Sequence, residues 1–267
     1  MKRGKLLYLI VGIMICTLLC SCSAAPQGTP SSGKFGEAAS QGEPDGTPPP
    51  TTEIQDTEPA AEEPDAAALE SVYQKLIGSI HGQILAEDLE TDLALAEEAL
   101  NGILEAGYAR TAEETLEYVG YTFADLNADG MPELIVGGIG ERRDGKAFGR
   151  DIYAVYTCVQ EELYCVCSGW ARSYVGWLGE NLFYYSGSAG AAYTLVGEYE
   201  LLPNATEWSC INLYFTEEDG IYYNQTGNYD REDAELLDMT WDELWELDSV
   251  LRANVLEFEL TPFSTCT

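Results

Sequence analysis

Within Phe123-Ala-Asp-Leu-Asn-Ala-Asp-Gly-Met-Pro-Glu133, the side chains of Asp125, Asn127 and Asp129 carry oxygen at alternate positions. Gly130 then permits a sharp turn, the Met131 carbonyl is available, and Glu133 arrives to close the ring. Ca2+ takes roughly six to eight hard oxygens at ~2.3–2.6 Å in a tolerant geometry, and this spacing offers them. The expected cofactor is one Ca2+, held as a structural clip rather than as a catalytic ion. The plain alternative is an Asp-rich turn that binds nothing.

Other chemistry is poorly supplied. The single histidine, His81, leaves no room for a His-cluster zinc site or a His-dependent triad. No glycine loop of the P-loop or dinucleotide type is present. Ser186-Gly-Ser188-Ala-Gly190 lacks the order of a nucleophile elbow. Acid pairs for glycoside hydrolysis cannot be chosen from sequence, because that chemistry depends on their separation in space. No catalytic residue is assigned. The formal charge of −33, from 13 Lys and Arg against 46 Asp and Glu, argues against nucleic acid and against adhesion to anionic lipid through a basic face.

Three weaker signals have two readings each. Cys158 and Cys165 would face each other across a hairpin turning at Glu161-Glu162, which makes a cross-strand disulfide one option. Cys167, Cys210 and Cys266 form an odd remainder that does not suit a full disulfide framework. Arg142, Arg143, Lys146 and Arg150, in a Gly-rich stretch after the Asp loop, could contact an anionic ligand or simply neutralise nearby acids; the second reading is preferred. The aromatics Tyr153, Tyr156, Tyr164, Trp170, Tyr174, Trp177, Tyr184, Tyr185 and Tyr193 could stack on sugar rings, but strand core is the preferred reading.

The elements that must position these groups begin near Ala67. Leu69, Val72, Tyr73, Leu76, Ile77, Ile80 and Ile84 follow a helical stripe, with His81 one step off it. A second helix is expected over Leu93–Leu104, ending near Gly107. Thr111 and Glu114 form the capping-box signature of a third. After Gly120 the pattern becomes short Tyr-, Val- and Ile-rich runs about ten residues apart, which indicates antiparallel hairpins. Thr240 and Glu243 cap a late helix with Trp241, Leu244, Trp245 and Leu251 expected on one side, and a strand over Val255–Phe263 closes the chain. The expected class is α+β: N-terminal helices packed on an antiparallel β meander, with one late C-terminal helix.

Ahead of this unit lie an address and a tether. Lys2, Arg3 and Lys5 precede an apolar run from Leu6 to Cys20, the n- and h-regions of a signal peptide. Residues 22–66 are rich in Pro, Gly, Ser, Thr and acids, with Phe35 and Ile54 as the large apolar residues, so a disordered spacer is expected. The expected organisation is therefore a signal peptide over 1–21, the tether over 22–66, and a single domain over 67–267.

Leu19-Cys20-Ser21-Cys22 resembles a bacterial lipobox, which implies lipidation of Cys22 and cleavage before it. Cleavage would remove three cations and no acids, taking the formal charge from −33 to −36. The Asp loop is similar to the FG-GAP or VCBS-type repeat of secreted and surface proteins, in which a D-x-[DN]-x-D-G-x-x-[DE] loop joins two strands. That resemblance implies Asp125, Asn127, Asp129 and Glu133 as side-chain ligands, with Met131 supplying its carbonyl. An EF-hand would need a Glu at loop position 12, where Val136 stands. The loop occurs once, so no propeller is implied. The whole layout resembles single-motif surface lipoproteins of Gram-positive bacteria.

These readings lead to the expectation of a protein lipid-anchored on the extracytoplasmic face of the bacterial cell membrane. Its Ca2+-stabilised domain would bind or adhere, without catalysis, to a glycan or protein at the surface. Two alternatives are an extracellular hydrolase of cell-wall or dietary polymer and an accessory or sensory domain for another envelope protein.

Overall fold

Local sequence signals and their tertiary use agree most closely in the helices. The computed structural model describes residues 66–86, 94–106, 110–170, 172–190 and 193–266. The signal peptide, Cys22 and nearly all of the tether lie outside these residues. Helix α1 (Ala66–Ala86) buries Tyr73, Leu76, Ile77, Ile80 and Ile84 along its apolar stripe. Helix α2 (Ala94–Ala106) buries Ala96, Ala99, Leu100 and Ile103 against it. Gly102 lies on the buried face of α2, where a Cβ would stand 2.4 Å from the Gly169 carbonyl, so a bare backbone is what lets this helix approach the strands.

Helix α3 (Ala112–Tyr118) opens with the expected capping box: Glu114 N–H donates to Thr111 Oγ1 at 3.2 Å, and Thr111 N–H donates to Glu114 Oε2 at 2.9 Å. It runs directly into the first strand. The strands in chain order are β1 (Val119–Ala124), β2 (Glu133–Gly138), β3 (Glu141–Arg143), β4 (Lys146–Gly149), β5 (Asp151–Val159), β6 (Glu162–Ser168) and β7 (Ser173–Gly179). They continue as β8 (Leu182–Gly190), β9 (Tyr193–Glu200), β10 (Ser209–Glu217), β11 (Gly220–Asn224) and β12 (Glu235–Leu237). Helix α4 (Trp241–Ala253) and β13 (Phe258–Pro262) follow.

The class is α+β. Thirteen antiparallel strands form one sheet in the order β12-β11-β10-β9-β8-β7-β5-β2-β1-β13-β4-β3, with β6 paired to β5. From β7 to β12 the sheet is a meander. At the other end the last strand inserts between β1 and β4, so the chain's end completes the sheet beside its first strand. Strand β2 is buried on both faces: Leu134 and Val136 join a core with α1 and α2, while Ile135 joins a second core with Ile152, Val155, Val175 and Phe183. Helix α4 caps a third cluster around Tyr184, Val196 and Ile221.

Three expectations are corrected. First, the β5–β6 hairpin turns at Gln160-Glu161, with φ of 53° and 67°, the paired left-handed geometry that matches strand twist. Cys158 therefore opposes Leu163, and Cys165 opposes Tyr156. Both are free thiols, as are Cys167, Cys210 and Cys266, so the Cys158–Cys165 disulfide is not formed. Second, the Gly-rich stretch, expected as a loop, is a hairpin, β3–β4, that carries Arg142, Arg143 and Lys146 and turns at Asp144-Gly145 with φ of 51° and 80°; Arg150 follows it. The Asp-Gly pair was its sequence signal. Third, α4 buries Leu244, Asp248 and Leu251, while Trp241 and Trp245 face solvent.

Candidate metal loop and its surroundings

The Asp125–Glu133 segment closes the β1–β2 hairpin, whose register runs unbroken from Val119 opposite Gly138 to Ala124 opposite Glu133. Its positive φ values, 59° at Ala128 and 87° at Gly130, curl the backbone between the donors. The side chains of Asp125, Asn127 and Asp129 each accept a backbone N–H from within the loop. Gly130 donates to Asp125 Oδ2 at 3.2 Å, Asp129 to Asn127 Oδ1 at 3.1 Å, and Met131 to Asp129 Oδ1 at 2.8 Å. The loop is thus held in a ring by the same oxygens that the sequence pointed to.

Glu133, the first residue of β2, is 0% exposed. Its Oε2 accepts from Leu126 N–H at 2.8 Å, and its Oε1 accepts from the Thr157 hydroxyl on β5 at 3.2 Å. No cation pairs with it among the described residues. Burial pushes its carboxyl up to about 7, against the Leu126 hydrogen bond; the Asp129 charge pushes it further up and Thr157 pulls it down. Among the described residues, no group of three or more His, Cys, Asp or Glu side chains forms a ready metal cluster. Asp125, Asp129 and Glu133 therefore do not converge as a three-carboxylate group in this structure; each carboxylate is engaged by hydrogen-bond donors of its own.

Contacts that the sequence does not mark tie the loop to two other elements. Asn204 N–H donates to Asp129 Oδ2 at 2.9 Å, and Asn127 Nδ2 donates to the Leu202 carbonyl at 3.3 Å, tying the loop to the β9–β10 connection. The Tyr73 hydroxyl on α1 donates to the Pro132 carbonyl at 3.0 Å. Burial raises the Tyr73 hydroxyl well above its ordinary value, and the neighbouring Cys158, Glu133 and Asp129 add to that shift. No local sequence pattern marks these partners, because each meets the loop only through the fold.

The cationic hairpin is occupied by acids. Arg142 bonds Glu117 at 2.9 Å, Arg143 and Arg150 both engage Glu257 at 2.6 and 3.1 Å, and Lys146 bonds Glu259 at 2.6 Å. Charge neutralisation is therefore what these side chains do in this structure. Among the aromatics, Tyr156 and Tyr184 are buried core, the remaining tyrosines and Trp177 are half-buried, and Trp170 is exposed.

No protein-family model matches this chain, and no curated protein or solved structure matches it.

Proposed function

We propose that this chain is a lipid-anchored protein of the extracytoplasmic face whose α+β domain, stabilised by one Ca2+, serves as a binding or adhesion module without catalysis. The observation that supports the calcium reading is Glu133: a fully buried carboxylate with no cationic partner among the described residues, hydrogen-bonded to the Leu126 N–H inside the loop. A buried carboxylate without a counter-charge is costly, and a hard divalent cation at the ring would offset it and the Asp129 charge together. Asp125, Asn127, Asp129 and Glu133 would hold the ion with the Met131 carbonyl. The bound ion supplies positive charge that joins the β1–β2 turn to its neighbours. The anchor would be the lipid on Cys22, and the acidic balance of the chain supports an extracytoplasmic partner that is neither nucleic acid nor anionic lipid.

The test is a calorimetric calcium titration of the full chain in detergent, with thermal unfolding, beside the Asp125→Ala/Asp129→Ala double variant. Saturable binding that raises Tm in the parent chain and vanishes in the variant is the expected result. At a hundredfold excess over Kd the ion would add ~2.7 kcal/mol of stability. Absence of binding in the parent chain would reduce the loop to a turn. Release of reducing ends from cell-wall or dietary polysaccharide would favour a hydrolase instead.

A further inference from the structure

Residues of α2, β5, β7, β8 and α4 line an open cleft of about 670 Å³. Its rim carries two indoles. Trp170 is 48% exposed and Trp245 is 50% exposed, and both line the cleft. Tryptophan is the largest apolar side chain, and leaving two half in water at one concavity forgoes burial that a core would use. The Trp170 backbone is fixed at this edge: its N–H donates to the Ser173 carbonyl at 3.0 Å, and Ser173 N–H donates to the Trp170 carbonyl at 2.8 Å.

The charges in the cleft are balanced. Glu105 and Asp151 line it together with Arg172 and Arg252, although residues 69–267 as a whole carry nine cations and 37 acids. Arg252 lies over the Tyr174 ring at 4.3 Å, and Tyr174 hydrogen-bonds Asp151, so one acid and one guanidinium are held in place by the same ring. An anionic ligand would meet Asp151 and Glu105, and a cationic ligand would meet the two arginines. A neutral ligand dense in hydroxyls suits both signs, because a hydroxyl donates to a carboxylate and accepts from a guanidinium. The exposed indoles would cover the C–H faces of its rings.

We propose that this cleft binds an uncharged oligosaccharide, with Trp170 and Trp245 as stacking platforms and Asp151, Arg172 and Arg252 as hydrogen-bonding groups. The proposal rests on the reading of the domain as a binding module and names its ligand class and site.

The test titrates the full chain in detergent with maltohexaose, cellohexaose, xylohexaose, mannohexaose and chitohexaose. Hexagalacturonic acid and chitosan hexaose serve as the anionic and cationic comparisons. Tryptophan fluorescence and calorimetry are the readouts. At least one neutral hexaose should bind at a single site, and Trp170→Ala and Trp245→Ala should each weaken it by about tenfold, the loss of one aromatic contact. Trp241→Ala, equally exposed on the same helix but outside the cleft, should leave the affinity unchanged. Failure of every neutral hexaose at millimolar concentration overturns the proposal. So does binding that survives the Trp170→Ala/Trp245→Ala double variant, and so does binding confined to the charged oligomers. Each preparation is first titrated with Ca2+: a calcium-responsive protein that takes no neutral sugar overturns the cleft assignment alone, whereas sugar binding without a calcium response overturns the loop reading alone.

Discussion

The backbone N–H of Asn204 donates to Asp129 Oδ2 at 2.9 Å across 75 residues of chain. Asp129 also accepts from Met131 N–H, so a single carboxylate closes the β1–β2 loop and fastens it to the β9–β10 connection. A charged acceptor with two backbone donors is among the stronger hydrogen-bond arrangements, worth ~1.5–3 kcal/mol per bond. Asp129→Ala should therefore raise amide exchange at Met131 and Asn204 together, with α4 unaffected. Exchange that rises at Met131 alone would show that the two loops are independent.

The Glu133 carboxyl titrates at about 7 in the folded, calcium-free protein, against 4.5 as its ordinary value. Because the folded value is the higher one, the stability contributed by protonation is fully present below 4.5 and is lost as pH rises through about 7. In calcium-free buffer, Tm should thus fall between pH 5 and 8 by an amount that Glu133→Gln removes, since the amide keeps the shape without the charge. Calcium reverses the preference: bound cation favours the ionised carboxylate, so calcium affinity should weaken as pH falls below neutrality. A Glu133→Gln protein with an unchanged pH slope would assign the slope elsewhere.

Tyr184, fully buried on β8, donates its hydroxyl to Asp248, buried on α4. Burial, with the Asp248 hydrogen bond, pushes the Tyr184 hydroxyl up to about 12. Tyr184→Phe removes the donor and leaves a buried carboxylate short of a partner, which costs ~1–3 kcal/mol. Thermal unfolding should show a drop of about 2–4 °C per kcal/mol for a domain of this size. Tyr184→Phe/Asp248→Leu should recover part of the loss, because both polar groups are then gone.

Cys165 and Cys167 are shielded thiols; burial pushes Cys165 up to about 12 and Cys167 well above its ordinary value. Native protein should alkylate slowly at both positions, while denatured, unreduced protein should alkylate at Cys158 and Cys165 as separate peptides. A reductant should leave Tm unchanged. A linked Cys158–Cys165 peptide would contradict the free-thiol arrangement.

Arg143 and Arg150 share Glu257 at the surface, and the two arginines are about half exposed. Arg143→Ala should change stability by less than ~1 kcal/mol, and by less still at high salt, because solvent screens exposed pairs. A larger loss would point to the packing of Arg143 over the Phe148 ring, 4.1 Å from its centroid.

What the chain declares locally was legible without the fold. The stripe from Tyr73 to Ile84 needs only helical periodicity, and the capping boxes at Thr111 and Thr240 need only a side chain and a backbone N–H three residues apart. The oxygens of Asp125, Asn127 and Asp129 accept nearby backbone N–H groups within the loop for the same short-range reason. Whatever depends on which strands become neighbours lay beyond the sequence. A shift of the turn to Gln160-Glu161 was enough to move Cys158 from Cys165 to Leu163, because register propagates from the turn to every later pair. Trp245 shares a helix with Leu244 but faces solvent, because what α4 meets in the sheet decides which stripe is buried. Asn204, Thr157 and Tyr73 reach the loop only because β9–β10, β5 and α1 converge on it. Short-range geometry belongs to the sequence; the partners that surround a site are set by long-range packing, where many weak contacts decide together.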